Sequence, residues 1–559
     1  MLSKLPPELL AMVLNNMTRT DLKSLCEVSK DIHFLTVPYL YKSLVISTTQ
    51  PSAQNITSTI KKIDHSHLVH TRDLSLCGPF HGEPVNGGCP FHDHLVIRNE
   101  HLGLEVNPFE PFSQFMDDLH LAVSTIPEDQ LRTFRWDLGT CLPDEVAQRI
   151  DLMLREQSQI TSISLIGDSD CRANRNASCS IHLARLSRVQ SLSWKGLKRY
   201  DDFESVRDFI AAHGPHLKTL YLDLIGWDSA RLTWSRGFLQ KFTPNTRLPE
   251  NFFAQSVLGL QGGELRTPLP ALQRLSLSQV SLSPMETELV DALNMGALRA
   301  LQLSNCPGTF RFLRQTVRSG VPLKLESLEL TFNPEHLNQI TDESQDGISE
   351  TVGAFLKSFD GLRDIHLMLP VPTDWGIINE GTMHHRSTLK HLITHGLDRT
   401  EYGDSMDTDI FHYTINNHLL SPSIDLHFFG VSIKIGYSFD IHEEFDHHVT
   451  PNPNIKILHL RSSGPMRRRQ TDEDSAEMVA ISNDAILEPI AQWAFGPCGY
   501  LNLQVLAFGD FSYDGYYNEY NILLCRDGDY YRRMTSADVR YWDLLREYMG
   551  ALGLVRMMS

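Results

Sequence analysis

A short apolar motif of the form Leu-x-x-Leu-x-Leu returns along this chain of 559 residues, and no other feature restricts its fold as much. Clear copies are Leu217-x-x-Leu220-x-Leu222, Leu272-x-x-Leu275-x-Leu277, Leu298-x-x-Leu301-x-Leu303 and Leu325-x-x-Leu328-x-Leu330. Looser copies are Leu131/Phe134/Trp136, Ile160/Ile163/Leu165, Val189/Leu192/Trp194, Leu362/Ile365/Leu367, Ile455/Leu458/Leu460 and Leu503/Val505/Leu506/Phe508. The last apolar positions serve as a ruler. Ile46, Leu76, Trp136, Leu165, Trp194, Leu222, Leu277, Leu303, Leu330 and Leu367 are separated by 30, 60, 29, 29, 28, 55, 26, 27 and 37 residues. Most intervals are one repeat of 26 to 30 residues, and the intervals of 60 and 55 hold about two, which predicts a degenerate or inserted unit in each. Beyond Leu367 the ruler blurs. Leu389-x-x-Leu392 and Ile424-Asp425-Leu426 read as strand candidates there, followed by Leu460 and Phe508.

Leu-x-Leu has period two, which places alternate residues on opposite faces of a strand. Helical spacing fills the intervals: Val146-Ala147-Ile150-Leu152-Leu154, Phe203-Val206-Phe209-Ile210, Leu289-Val290-Leu293, Phe312-Leu313-Val317 and Val352-Phe355-Leu356-Phe359. A strand and a helix at this period resemble a leucine-rich repeat. The usual Asn or Cys after the strand is scarce, although Asn305-Cys306 follows Leu303, so the resemblance is to a divergent version. It implies an α/β fold, a solenoid with parallel strands on the concave face and helices outside. Inward leucines share one core, and the residues between them line an open sheet. Tyr221 and Asp223, Ser276 and Ser278, Gln302 and Ser304, and Glu329 and Thr331 are then the expected substrate contacts.

The first 46 residues follow a different pattern. Pro6 and Pro7 can open a helix, because first-turn amides have no intrahelical partner, and Glu8 sits favourably at its positive end. Leu9, Leu10, Val13, Leu14 and Met17 fall on one helical face. Thr20 is the expected N-cap of a second helix carrying Leu22, Leu25, Cys26 and Val28, and Pro38 is expected to close the third. Leu5-Pro6-Pro7-Glu8-Leu9-Leu10, Val13-Leu14, Asp21-Leu22, Val28-Ser29-Lys30 and Leu40-Tyr41 resemble, in order, the F-box motif. That resemblance implies docking on the Skp-type adaptor of a cullin-RING ubiquitin ligase through Leu5, Pro6, Leu9, Val13, Leu14 and Leu22. The expected domains are a helical F-box at 1–46, the repeats at 47–510, and a C-terminal cap at 511–559 that hides the last apolar face.

Composition excludes several classes. Fifty basic and 68 acidic residues give a net charge of −18, which argues against nucleic-acid backbones and anionic membranes as partners. No run of about 18 apolar residues is available to span a bilayer, and the N-terminus lacks the order of a signal peptide. Nine scattered cysteines fit free thiols in a reducing compartment, so a cytoplasmic or nuclear location is expected.

Three insertions interrupt the repeats, near 77–100, 227–270 and 462–477. The first holds Cys77, His81, Cys89, His92 and His94, but without a Cys-x-x-Cys pair it reads as a polar loop, not a zinc site. The third joins Arg467-Arg468-Arg469 to Asp472-Glu473-Asp474, a solvated charge pattern. Catalytic signals are thin. Gly167-Asp168-Ser169 with Asp409-x-x-His412 resembles the nucleophile and partner pair of Gly-Asp-Ser hydrolases, but a Gly-Asp turn is expected after the strand ending at Ile166 in any case. His442-Glu443-Glu444-Phe445-Asp446 has Asp where a zinc-protease helix needs its second His. The chain therefore reads as a non-catalytic receptor without a cofactor, joining a Skp-type adaptor to a protein substrate. A repeat scaffold without a ligase is the competing reading, and a hydrolase the remote one.

Overall fold

The computed structural model describes residues 5–47, 53–63, 65–77, 112–138, 142–166, 181–197, 200–223, 251–260, 267–332, 346–370, 373–399, 405–408, 419–432, 451–461, 487–509, 522–528, 530–535 and 538–547. The chain divides into two compact units near residue 250.

The first unit opens with α1 (Pro7–Asn15), α2 (Arg19–Cys26) and α3 (Lys30–Leu40). Thr18, not Thr20, caps α2. Its hydroxyl accepts from the Asp21 amide at 3.2 Å and donates to the Asp21 carboxylate at 2.7 Å. Ser29 caps α3 by accepting from the Ile32 amide at 3.3 Å. Pro38 does not end α3, which runs on to Leu40. A proline so near the C-terminus removes one backbone donor, and the remaining turn needs little more.

Strands β1 (Ser43–Ser47), β2 (Asp73–Cys77), β3 (Thr133–Asp137), β4 (Ser162–Ile166), β5 (Ser191–Lys195) and β6 (Thr219–Asp223) pair in chain order, all parallel. In their register Ile46, Leu76, Trp136, Leu165, Trp194 and Leu222 form one row, and each is buried. The sequence ruler is thus a physical line of core side chains. Helices α4 (Ala53–Ile60), α5 (Ser113–Val123), α6 (Asp144–Arg155) and α7 (Tyr200–His213) fill the crossovers that parallel strands require. The stripe Val146, Ala147, Ile150, Met153 and Leu154 is the buried side of α6.

In the second unit β7 (Arg274–Ser278), β8 (Ala300–Ser304), β9 (Ser327–Thr331), β10 (Asp364–Pro370), β11 (His391–Arg399), β13 (Phe428–Ser432), β14 (Ile457–Arg461) and β15 (Val505–Phe508) are parallel neighbours. The short β12 (Ser405–Thr408) pairs antiparallel with the end of β11. Leu277, Leu303, Leu330 and Leu367 share a row that continues through Thr394, Val431, Leu460 and Phe508. Between the strands lie α8 (Glu286–Ala292), α9 (Thr309–Ser319), α10 (Asp346–Lys357), α11 (Trp375–His384) and α12 at 487–495.

The ruler blurs after Leu367 for a structural reason. Every residue of β13, β14 and β15 is buried, and in β13 and β15 both faces carry apolar side chains, so the alternation disappears there. Ile424-Asp425-Leu426 is accordingly not a strand; β13 begins two residues later, at Phe428. What covers the second face is α13 (Val539–Glu547), which follows the antiparallel pair β16 (Ile522–Asp527) and β17 (Tyr530–Arg533). Leu545 joins Ile393, Phe428, Ile457, Val505 and Ala507 in one cluster, flanked by Tyr541, Trp542 and Leu544. Within the segment expected as a cap, β16 and β17 thus extend the sheet beyond β15, and α13 lies over its face.

No helix among the described residues is long and apolar enough to cross a membrane. Of the possible zinc set, Cys77 is described and buried, whereas His81, Cys89, His92 and His94 lie outside the described residues. So do Gly167-Asp168-Ser169, Asp409, His412, 442–448 and 462–477. Of the second insertion, Phe252, Phe253, Leu258 and Leu260 are described, and all are buried.

Candidate functional site

Two surfaces stand out. On α1, residues spaced by four form two adjacent stripes about 100° apart, because each residue advances the helix by that angle. Leu10 and Leu14 turn inward and meet Leu22, with Met17, Leu25, Tyr39 and Leu40 around them. Leu9 and Val13 turn outward and are 50% and 40% exposed, beside Met12 at 63%. Leu5 and Pro6 are exposed as well. Of the six residues expected on the docking face, Leu14 and Leu22 are therefore core residues, since a three-helix unit must spend some of its few apolar side chains on itself. The motif residue Val28 is exposed too, as are Phe34 and Leu35, two apolar residues that the motif did not single out; Phe34 is 74% exposed.

The second surface is the sheet face opposite the leucine row. Tyr221 and Asp223 stand on it in the first unit, in register with Ser193 and Lys195. In the second unit Ser276, Gln302 and Glu329 form one cross-strand row, and Ser278, Ser304 and Thr331 the next. Thr331 is only 8% exposed, and its hydroxyl donates to Ser304 Oγ at 2.6 Å, so that pair is partly committed to itself.

Both rows continue onto strands where the expected contacts stopped. Glu329 is followed by His366, Ile393, Gly430 and His459, and Thr331 by Met368. His395 and Arg461 stand one residue after the ruler positions Thr394 and Leu460, on the same face. These are the functional candidates that the sequence reading missed. The signal was present, because His366 and Met368 flank Leu367 just as His459 and Arg461 flank Leu460.

The cluster is tightly built. The rings of His366 and His395 lie 5.7 Å apart at 87°, and those of His395 and His459 5.7 Å apart at 86°. Arg461 Nη1 is 3.2 Å from His395 Nδ1 and 2.8 Å from Met368 Sδ. The ring of His459 meets the Gly509 carbonyl through Nε2 at 3.0 Å. Glu329 Oε1 approaches His366 Nδ1 at 3.8 Å. Burial pushes the His366 imidazole down to about 3, with the charges of Arg461 and His459 acting in the same direction. The His395 ring is held well below the ordinary range, first by burial and then by Arg461. Both rings are therefore neutral near pH 7. Among the described residues no group of three or more His, Cys, Asp or Glu could hold a metal ion.

Residues 2–36 match the F-box domain family, which covers α1, α2 and most of α3. Comparison with curated proteins gives no match.

Proposed function

We propose that this chain is a non-catalytic substrate receptor of an SCF-type cullin-RING ubiquitin ligase, with its F-box domain on a Skp-type adaptor and its repeats on a protein substrate. The observation that carries this reading is the F-box match together with an apolar stripe that the helical unit leaves exposed, Leu5, Leu9, Met12 and Val13. Apolar groups clustered on a small surface favour a partner that removes them from water. In such an assembly the receptor contributes position. Holding substrate beside the ubiquitin-loaded enzyme raises the effective concentration of its lysines, which needs no acid, base or nucleophile from this chain.

The strand-and-helix period, the parallel order and the leucine rows support reading both units as divergent leucine-rich repeats, with substrate on the polar sheet face. The test is a pull-down of purified Skp-type adaptor by the full chain, by a chain lacking residues 1–46, and by Leu9→Ala with Val13→Ala. Binding is expected for the full chain alone, the double substitution removing on the order of 2 kcal/mol or more from the interface. Retention of adaptor by the truncated chain would rule this docking out, and no binding by the folded full chain would leave a repeat scaffold without a ligase.

A further inference from the structure

We propose that the outer sheet face of the second unit carries an oxyanion-binding site, formed by His366 and His395 beside Arg461, for a carboxylate or phosphoryl group on a bound protein. The contacts fix where the protons sit. A guanidinium has no acceptor, so in the 3.2 Å contact Arg461 donates and His395 Nδ1 accepts. The proton of the neutral His395 ring is then on Nε2. That donor is buried, on a side chain 2% exposed, and has no hydrogen-bond partner. Both ring nitrogens of His366 also lack one, and one of them carries a proton. Buried donors without partners are rare because each has given up its water for nothing.

Two buried N–H donors without acceptors, one of them on a ring that a guanidinium contacts at 3.2 Å, fit a negatively charged group that accepts several hydrogen bonds. An oxyanion meets that demand. His366 remains 17% exposed, so the cluster reaches the surface on its β10 side. Met368 and Gly430 on the same face present no competing acid, and α13 covers Ile393, Phe428 and Ile457 lower on the face. The net charge of −18 disfavours a nucleic acid as the source of the phosphoryl group. That the bound protein is one marked for ubiquitination rests on the receptor reading above; the site itself does not.

Inorganic phosphate is the first probe, titrated calorimetrically into the full chain at constant ionic strength with chloride as reference. We expect saturable binding that His366→Phe and His395→Leu each weaken about ten-fold or more, the loss of one charge-assisted hydrogen bond. Glu329→Gln should tighten it several-fold, because a carboxylate 3.8 Å from His366 competes with the ligand. The opposite signs separate an anion site from a packing role. Equal isotherms in all variants, no binding, or weakening by Glu329→Gln would overturn the proposal. Peptide pools with phosphoserine, glutamate or serine identify the source. Preferential retention of the acidic pools, displaced by free phosphate, supports a protein-borne group, whereas retention of none while phosphate still binds would overturn that part. Adaptor pull-down by the same variants is unaffected if only this site fails.

Discussion

Leu9 and Leu10 are neighbours in sequence and differ in role, because one helical step carries a side chain from the core of the first three helices to their surface. Leu14→Ala, which empties a position 2% exposed, should destabilise the helical unit by about 2–5 kcal/mol. Leu9→Ala should change its stability by less than about 0.5 kcal/mol. Amide hydrogen exchange over residues 7–40 separates the two, with faster exchange expected only for Leu14→Ala. A second residue-scale prediction concerns acid. Burial lowers His366 to about 3 and His385 to about 4, below the unfolded value near 6.5. The unfolded chain therefore binds more protons between those limits, and stability falls as pH drops from about 6.5 towards 4 and then 3. Glu329, His395, His459 and Arg461 face His366, whereas His384, Asp360 and the Phe359 ring face His385. Urea midpoints recorded from pH 7 to 4 should fall less steeply in His366→Phe; an unchanged slope would count against this account.

Element boundaries follow local chemistry that short patterns report well. Thr18 holds the start of α2 through one amide, so Thr18→Ala should weaken that helix by about 1 kcal/mol, read from exchange of the Asp21 and Leu22 amides. Gly308, just before α9, has φ of +82°, and a Cβ there would lie 2.8 Å from the Ser283 amide nitrogen. Gly308→Ala should cost about 1–2 kcal/mol or more through the left-handed backbone and the crowding together, lowering the thermal midpoint of the full chain. The strands were legible because five residues with period two report their own faces, as in β7, β8 and β9. The strand β13 was not, since Phe428-Phe429 carries no alternation to read, and β15 was legible only as a loose copy of the motif because Val505-Leu506 breaks the alternation.

At the scale of the whole molecule, the outer face of the second unit changes character along its length. It is polar on β7–β9, histidine-rich on β10 and β11, and apolar beneath α13. A chain ending at residue 535 should expose Ile393, Phe428, Ile457 and Val505, bind an apolar dye and aggregate. Leu545→Asp should do the same by introducing a charge at a fully buried position. Dye binding no greater than in the full chain would mean that α13 does not hold this face.

The repeat length, the helices between the strands, the leucine rows and the F-box motif are legible in the order of the residues alone. Each is a periodic or short-range signal, because strand and helix geometry convert spacing directly into a face. Tertiary structure alone decided that Leu14 and Leu22 are core while Leu9 and Val13 are surface, and that α13 covers β13–β15. It also gathered His366, His395 and Arg461 from positions up to 95 residues apart. Spacing says which residues share a face; which face is covered, and by what, depends on segments distant in the chain.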